Sequence, residues 1–277
     1  MMRYADAYRY GKDALEAAQV AEAKLDARLL LEAVCGTAGN DLLVHGDREL
    51  SREQEERYRE WIALRASRIP LQHITGVQEF MGLEFLVNEH VLIPRQDTEI
   101  LVEEVLRELT DGSRILDLCT GSGCILLSLL NYSNDCAGTG SDISEKALET
   151  ARRNAQKLGI SAQFLQSDLF DEVEGRYDFI VSNPPYIASG EIPGLMEEVR
   201  LHEPLCALDG HEDGLFFYRR IIAESPEHLV RGGSLYLEIG WDQGAAVKAL
   251  MEENGFHEVR VTKDYAGLDR VVSGVWF

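Results

Sequence analysis

Apolar residues recur at three- and four-residue spacing through the first 68 positions, which predicts helices over "YADAYRYGKDALEAAQV", "AKLDARLLLEAV" and "SREQEERYREWIALRASR". The third opens with Ser51 and carries Gln54 three residues later, the pattern of a capping box. Its Tyr58, Trp61 and Ile62, with the stems of Leu64 and Arg65, are expected to face a partner layer. Gly36 and Gly39 in "AVCGTAGND" supply a break between helices.

The period then changes. "EFMGLEFLVN" alternates around Gly82 and predicts a β-hairpin over Glu79–Asn88, after which Pro94 is a stop and Asp97 or Thr98 a cap for the next helix. From Arg114 onward strands and helices alternate: "RILDL", "CILLSLLNYS", "CAGTGSD", "SEKALETARRNAQKLG", "AQFLQSD", "YDFIVSN", then "GLFFYRRIIAESPEHL", "SLYLEIG", "QGAAVKALMEENG", "HEVRVTKD" and "RVVSGVWF". Repeated βα units imply an α/β fold with a mainly parallel sheet. The last two strands are joined by "YAGLD", too short for a crossover, so they should pair antiparallel. We therefore expect a helical N-terminal domain over 1–75, a hairpin linker over 76–90 and an α/β domain over 91–277. In architecture the last is similar to the Rossmann-like fold of class I methyltransferases.

Composition narrows the setting. The 277 residues are 45% hydrophobic and 27% charged, ordinary for a soluble globular protein, and no apolar run approaches a membrane span. The polar N-terminus has no apolar signal core, and five cysteines form no CxxC pair, so a reduced, cytoplasmic chain without a structural zinc site is expected. The net charge of −21 argues against a partner held by its phosphate backbone. Residues 1–90 hold 11 basic against 16 acidic side chains, so neither part is a basic module. Arg48, Arg52, Arg57, Arg59, Arg65 and Arg68 read more simply as a solvated helix face than as a binding groove.

Candidate chemistry starts at "ILDLCTGSGC", where Gly121 and Gly123 lie between a strand and a helix. Glycines there permit a tight turn and close approach of a ligand to the backbone. Alone the loop is equally a structural turn. Asp142 ends the next strand about 20 residues on, where a carboxylate can accept ribose hydroxyls. Asp168 ends the strand after that, placed to accept from an adenine amino group, with Leu169 and Phe170 able to pack on the ring. Either Asp alone reads as a cap or turn residue. Two at successive strand ends fit a ligand outside the carboxyl edge of the sheet, and the loop suits one with a carboxylate and an adenosine, as in S-adenosylmethionine.

The fourth strand ends in Asn183–Pro184–Pro185–Tyr186. A Pro-Pro pair is frequent loop punctuation. Here the Asn183 side-chain carbonyl and the Pro184 backbone carbonyl also offer two acceptors for the two donors of an –NH2 group, and Tyr186 offers a flat face for a planar one. Such a clamp suits methyl transfer to an amide or aromatic amine nitrogen, a poor nucleophile that gains chiefly from positioning.

With these residues in place the chain resembles the PrmC/HemK family of release factor glutamine methyltransferases. The likeness runs through "RIPLQHITGVQEFMGLEF", "VLIPRQDTEILVEEVL", "DLCTGSGC", "SDISEKALETARRNA", "SDLF", "FIVSNPPYI", "EPLCALDGHEDGLFFYRRII", "LEIGWDQ" and "AGLDRVV". The resemblance implies N5-methylation of the glutamine in the Gly-Gly-Gln motif of class I peptide chain release factors; a monomer that binds neither nucleic acid nor membrane is expected. Cys119, Thr120, Gly121, Ser122 and Gly123 would line the methionine part of S-adenosylmethionine, Asp142 would hold the ribose, and Asp168 with Leu169 would border the adenine. Asn183 would also touch the cofactor, and Asn183, Pro184, Pro185 and Tyr186 would bind the target amide. The helical domain would help grip the release factor, and Arg95 is a candidate for positioning cofactor or substrate. Cys119 stands where a glycine is commonest in methyltransferases, so no positive φ is expected there, and Leu169 replaces an aromatic residue of some relatives. A nucleic-acid amino-methyltransferase shares the same clamp, but the charge and the lack of a basic module oppose it. A non-catalytic cofactor sensor would have no use for an amine clamp.

Overall fold

The computed structural model of the chain describes residues 2–37 and 39–277, leaving aside the side chains of 42 and 43. Five helices come first: α1 (Tyr4–Ala17), α2 (Ala23–Cys35), α3 (Asp41–Val44), α4 (Arg52–Ala66) and α5 (Leu71–Thr75). The hairpin β1 (Val77–Phe80) and β2 (Leu83–Leu86) precedes α6 (Glu99–Glu108). There follow β3 (Arg114–Leu118), α7 (Cys124–Asn131), β4 (Ala137–Asp142), α8 (Glu145–Leu158), β5 (Gln163–Gln166) and β6 (Tyr177–Ser182). The chain ends with α9 (Glu197–His202), α10 (Phe216–His228), β7 (Leu229–Glu238), α11 (Gly244–Glu253), β8 (His257–Lys263) and β9 (Asp269–Val275). These elements form two compact units, Met1–Gly76 with Met196–His202, and Val77–Leu195 with Glu203–Phe277. None of the described helices is long and apolar enough to cross a membrane.

In the second unit seven strands form one sheet in the order β5-β4-β3-β6-β7-β9-β8. The pairs among β3 to β7 are parallel, with crossover connections between them, while β9 runs antiparallel to both β7 and β8. The chain steps outward from β3 to β5, then returns to lay β6 on the other side of β3. That reversal opens a crevice at the carboxyl ends of β3 and β6. One face is packed by Leu116, Ile180, Leu235 and Ile222, the other by Ile115, Val181, Leu126 and Leu101. The hairpin groups with this unit: Phe80 and Phe85 are buried in the second face's core, their rings edge to face at 6.1 Å. It turns through Met81 and Gly82, both at positive φ, as a two-residue hairpin loop of this hand requires.

In the helical unit the capping box at Ser51 and Gln54 is formed in both directions, at 3.1 and 2.9 Å. Tyr58 is buried and donates its hydroxyl to the Ala27 carbonyl at 3.0 Å. The arginine series is largely spent on internal pairs. Arg52 meets Glu56, Arg59 meets Glu55, and Arg57 lies 4.7 Å over the Trp61 ring. Arg65 is buried rather than solvated: it bonds Asp26 at 2.7 Å and Glu198 of α9 at 3.2 Å, and Arg68 reaches Glu198 as well. Burial of a charge is tolerated only with such partners.

Gly11 of α1 is where Tyr58 presses closest. A Cβ at that position would stand 1.9 Å from the Tyr58 hydroxyl and 2.9 Å from Ile62 Cδ1. Helix propensity alone makes Gly11→Ala stabilising by about 1 kcal/mol, whereas forcing a carbon into a filled core costs about 1–3 kcal/mol. The ring is rigid and its hydroxyl is committed, so the clash should win. Gly11→Ala is expected to lower the denaturant midpoint of the helical unit, read by circular dichroism. An unchanged or raised midpoint would show that the packing around Tyr58 yields.

Candidate active site

The crevice at the carboxyl ends of β3 to β6 is a cavity of about 400 Å³. Cys119 to Ser122 line it after β3, Asp142 at the end of β4, Ser167 to Leu169 after β5, and Asn183 and Pro185 after β6. Thus the loop, both strand-end aspartates and the Asn-Pro-Pro-Tyr segment converge in space. Gly123 does not line it. That residue starts α7 at φ 80°, where a Cβ would meet Ala151 and Leu127 at 3.2 Å.

The loop corrects one expectation: Cys119 has φ 56° although it is not glycine. The next residue explains it. The Thr120 N–H bonds the Ser141 carbonyl at 2.9 Å, and its hydroxyl donates to Asp117 Oδ2 at 2.6 Å. With Thr120 pinned from two sides, Cys119 takes a left-handed conformation at a cost of roughly 1–2 kcal/mol. Leu169, which also lines the cavity, stands at φ 53°, its carbonyl held by the Ser167 hydroxyl at 2.9 Å. Asp117 was missed from sequence, although a lone acid inside the apolar run "ILDL" is the signal for it. It is fully buried, and burial pushes its carboxyl up to about 7 against the pull of the Thr120 hydrogen bond.

Asp142 accepts from Gly121 N–H and Ser144 N–H, each at 2.9 Å, so it braces the glycine loop and the start of α8 while facing the cavity. Burial raises its carboxyl above the ordinary carboxylate range, opposed by these N–H groups. Asp168 lines the cavity with one oxygen already taken by Arg220 of α10 at 2.8 Å. Its other oxygen is the acceptor available to a ligand. Of the two apolar neighbours, Leu169 reaches the cavity and Phe170 does not, since its ring stacks on His228 at 4.6 Å in the core. Ile143, more than half exposed, forms another apolar wall. Backbone N–H groups at a glycine loop, an acid on the second strand, an acid on the third and an apolar slot fit an adenosine carrying a carboxylate tail.

Asn183 lies at the cavity edge with its amide turned so that Nδ2 donates to Thr98 Oγ1 at 3.4 Å. Pro184 is buried, and Pro184 and Tyr186 are not among the cavity-lining residues, whereas Pro185 is. The Tyr186 hydroxyl is lifted by burial and feels the charges of Glu238, Arg270, Arg95 and Asp97. Its carbonyl accepts from Gln243 Nε2 at 3.0 Å, and Gln243 in turn takes the Gly240 N–H at 2.9 Å. Beyond it, Ile187 N–H bonds Leu208 O and Gly210 N–H bonds Ile187 O. Gly214, at φ 71°, comes so near that a Cβ would stand 2.4 Å from the Tyr186 oxygen.

Gln243, Gly214 and Arg220 were not singled out from sequence, because their roles appear only once distant segments meet. The "IPRQDTE" segment behaves differently from a plain cap. Neither Asp97 nor Thr98 caps α6: Asp97 pairs with Arg270 at 3.2 Å and Thr98 turns to Asn183. Arg95 forms an ion pair with the buried Glu203 and is not among the residues lining the cavity. Burial pushes the Glu238 carboxyl, at the end of β7, up to about 7, against a hydrogen bond from Thr98 and the attraction of Arg270.

With this geometry in hand, comparison with known proteins is specific. Residues 6–76 match the model of the PrmC N-terminal domain and residues 95–199 that of the methyltransferase small domain. A release factor glutamine methyltransferase of Agrobacterium fabrum is 42% identical over 94% of this chain and 92% of its own. One of Moorella thermoacetica is 44% identical over 92% of each. Among solved structures, a 16S rRNA N2 G1207 methyltransferase of T. thermophilus, in complex with AdoMet and guanosine, superposes with a TM-score of 0.52 at 18% identity. That match covers 73% of this chain and 50% of the other, and speaks for the fold alone. Matches that run through both units and nearly the full length of the relatives place the chain in the release factor glutamine methyltransferase family.

Proposed function

We propose that the protein transfers a methyl group from S-adenosylmethionine to the side-chain amide nitrogen of the glutamine in the Gly-Gly-Gln motif of class I peptide chain release factors. The observation that carries this reading is the orientation of Asn183. Its Nδ2 is given to Thr98, so its Oδ1 is left to accept at the edge of the cavity. With the Pro184 carbonyl it forms a pair of acceptors for the two N–H bonds of a primary amide. Proline has no N–H of its own to repel them, and it restrains the residue before it to extended backbone.

S-adenosylmethionine supplies an electrophilic methyl group on a sulfonium. The chain supplies position. Asp142 holds the ribose hydroxyls, Asp168 the adenine amino group, and Leu169 and Ile143 enclose the ring, while Cys119 to Ser122 follow the methionine part. Asn183 and Pro184 fix the plane of the target amide, with the Tyr186 ring against it, so that the nitrogen meets the methyl in line. Reacting atoms held at ~3–3.5 Å convert an encounter into a unimolecular step. Acceptors on both N–H bonds would also stabilise the positive charge that builds on nitrogen as the C–N bond forms and the S–CH3 bond breaks, leaving S-adenosylhomocysteine, and the nitrogen would then shed one proton to water. The charge of −21 favours a protein over a phosphate backbone as the partner, and we read the working form as a monomer.

The test is incubation with labelled cofactor and either a release factor or duplex DNA. Label is expected in the release factor and not in DNA; the reverse would overturn the assignment. Asn183→Ala is expected to abolish transfer while the cofactor dissociation constant stays within about 2-fold, a change under 0.5 kcal/mol. Loss of cofactor binding in step with activity would mean that Asn183 serves the cofactor. Asp142→Ala should weaken cofactor binding by roughly 10–100-fold, the worth of charge-assisted hydrogen bonds, in a calorimetric titration. An unchanged affinity would remove the ribose role.

A further inference from the structure

Thr98 stands directly before α6, where a threonine hydroxyl ordinarily bonds a free helix N–H, and it makes no such bond. It is only 2% exposed, and it receives Nδ2 of Asn183 at 3.4 Å. Within reach of its hydroxyl is the carboxyl group of Glu238, also 2% exposed, whose Oε2 has no hydrogen-bond partner among the described residues. A buried polar group is expensive unless it is used.

An asparagine amide has two ends of nearly equal shape. Turned by half a rotation, Asn183 would present donors where the target amide needs an acceptor. A hydroxyl alone does not choose between the two orientations, because it can accept from Nδ2 or donate to Oδ1. Its single proton decides. In its ionised form the Glu238 carboxyl accepts only, so a hydroxyl that donates to it is left with lone pairs to offer Asn183. With Glu238 ionised the chain would run one way, from Asn183 Nδ2–H to Thr98 Oγ1, as observed, and on from Thr98 O–H to the carboxylate.

We infer that Thr98 is a positioning residue that holds Asn183 in the acceptor-outward orientation, with Glu238 fixing the direction of the Thr98 hydroxyl. The inference rests on the proposed role of Asn183 in binding the target amide. Thr98 touches neither substrate nor cofactor; it acts by denying Asn183 its reversed orientation.

The experiment is a kinetic comparison of full-length Thr98→Val, Thr98→Ala, Thr98→Ser and Asn183→Ala with the unmodified chain, on release factor and S-adenosylmethionine. Thr98→Val keeps the shape and removes the hydroxyl. It is expected to lower kcat by roughly 10–100-fold, the effect of a lost charge-assisted hydrogen-bond chain, with cofactor affinity and release factor KM changed less than about 3-fold. Thr98→Ser should recover most of kcat. If valine does not fold there, Thr98→Ala is read in its place. Equal losses in the serine and valine variants would mean that Thr98 acts by packing, and wild-type kcat in the valine variant would overturn the inference outright. Asn183→Ala separates the two levels: if it stays active, the amide-binding reading itself falls, whereas if it is dead and Thr98→Val is not, only the positioning role is lost.

Discussion

Two adjacent prolines cannot donate a backbone hydrogen bond, and the active site is arranged around that deficit. The stretch from Asn183 to Tyr186 leaves β6 with Pro184 and Pro185 offering only carbonyls. A segment so built cannot be stitched into the sheet as an ordinary strand. It is anchored from beyond its end, by Gln243 reaching the Tyr186 carbonyl and by Ile187, which donates to the Leu208 carbonyl and accepts from the Gly210 N–H. Gly214 permits the close approach that this anchoring needs. The consequence is a firmly held ledge that brings Asn183 and Pro185 to the wall of the cavity, the rigidity that the proposed capture of an –NH2 group requires.

The same logic of committed partners extends to the cofactor side. Asp142 spends two bonds on the loop and the α8 terminus, and Asp168 spends one on Arg220. These bonds hold both carboxylates in place at the cavity, and on the proposed reading such preorganisation conserves binding energy for orientation. Backbone strain is also stored in this region, at Cys119 and Leu169, where the loop geometry over-determines two residues that would otherwise avoid positive φ.

Much of the fold was legible in the sequence, because its elements carry clear periods. The βα alternation from Arg114 and the antiparallel ending at "YAGLD" correspond to the observed strand order. The capping box at Ser51 and Gln54 is formed as read. What the sequence hid depends on tertiary partners or on backbone angles. Nothing in "EDGLF" or "WDQGA" announces that Gly214 and Gln243 meet at Tyr186, since they are distant in sequence. Cys119 misled because residue type is only a proxy for φ, and the proxy fails where neighbours pin the chain. Thr98 misled for a related reason. A hydroxyl before a helix is expected to cap it, and this one has the half-buried Asn183 to serve instead. Met196–His202 joins the helical unit through Glu198, a pairing that a charged helix face does not reveal.

The central claim is that two carbonyl acceptors read the N–H bonds of a primary amide. It is tested most directly by measuring how well a release factor whose target glutamine is replaced by glutamate competes with the unmodified one for the enzyme. A carboxylate offers no donors and sets its charge against the acceptors. The account predicts an inhibition constant weaker than that of the glutamine form by about 10-fold or more, equivalent to at least ~1.4 kcal/mol. Equal inhibition by the two forms would contradict it, because the site would then be blind to the group it is built to hold.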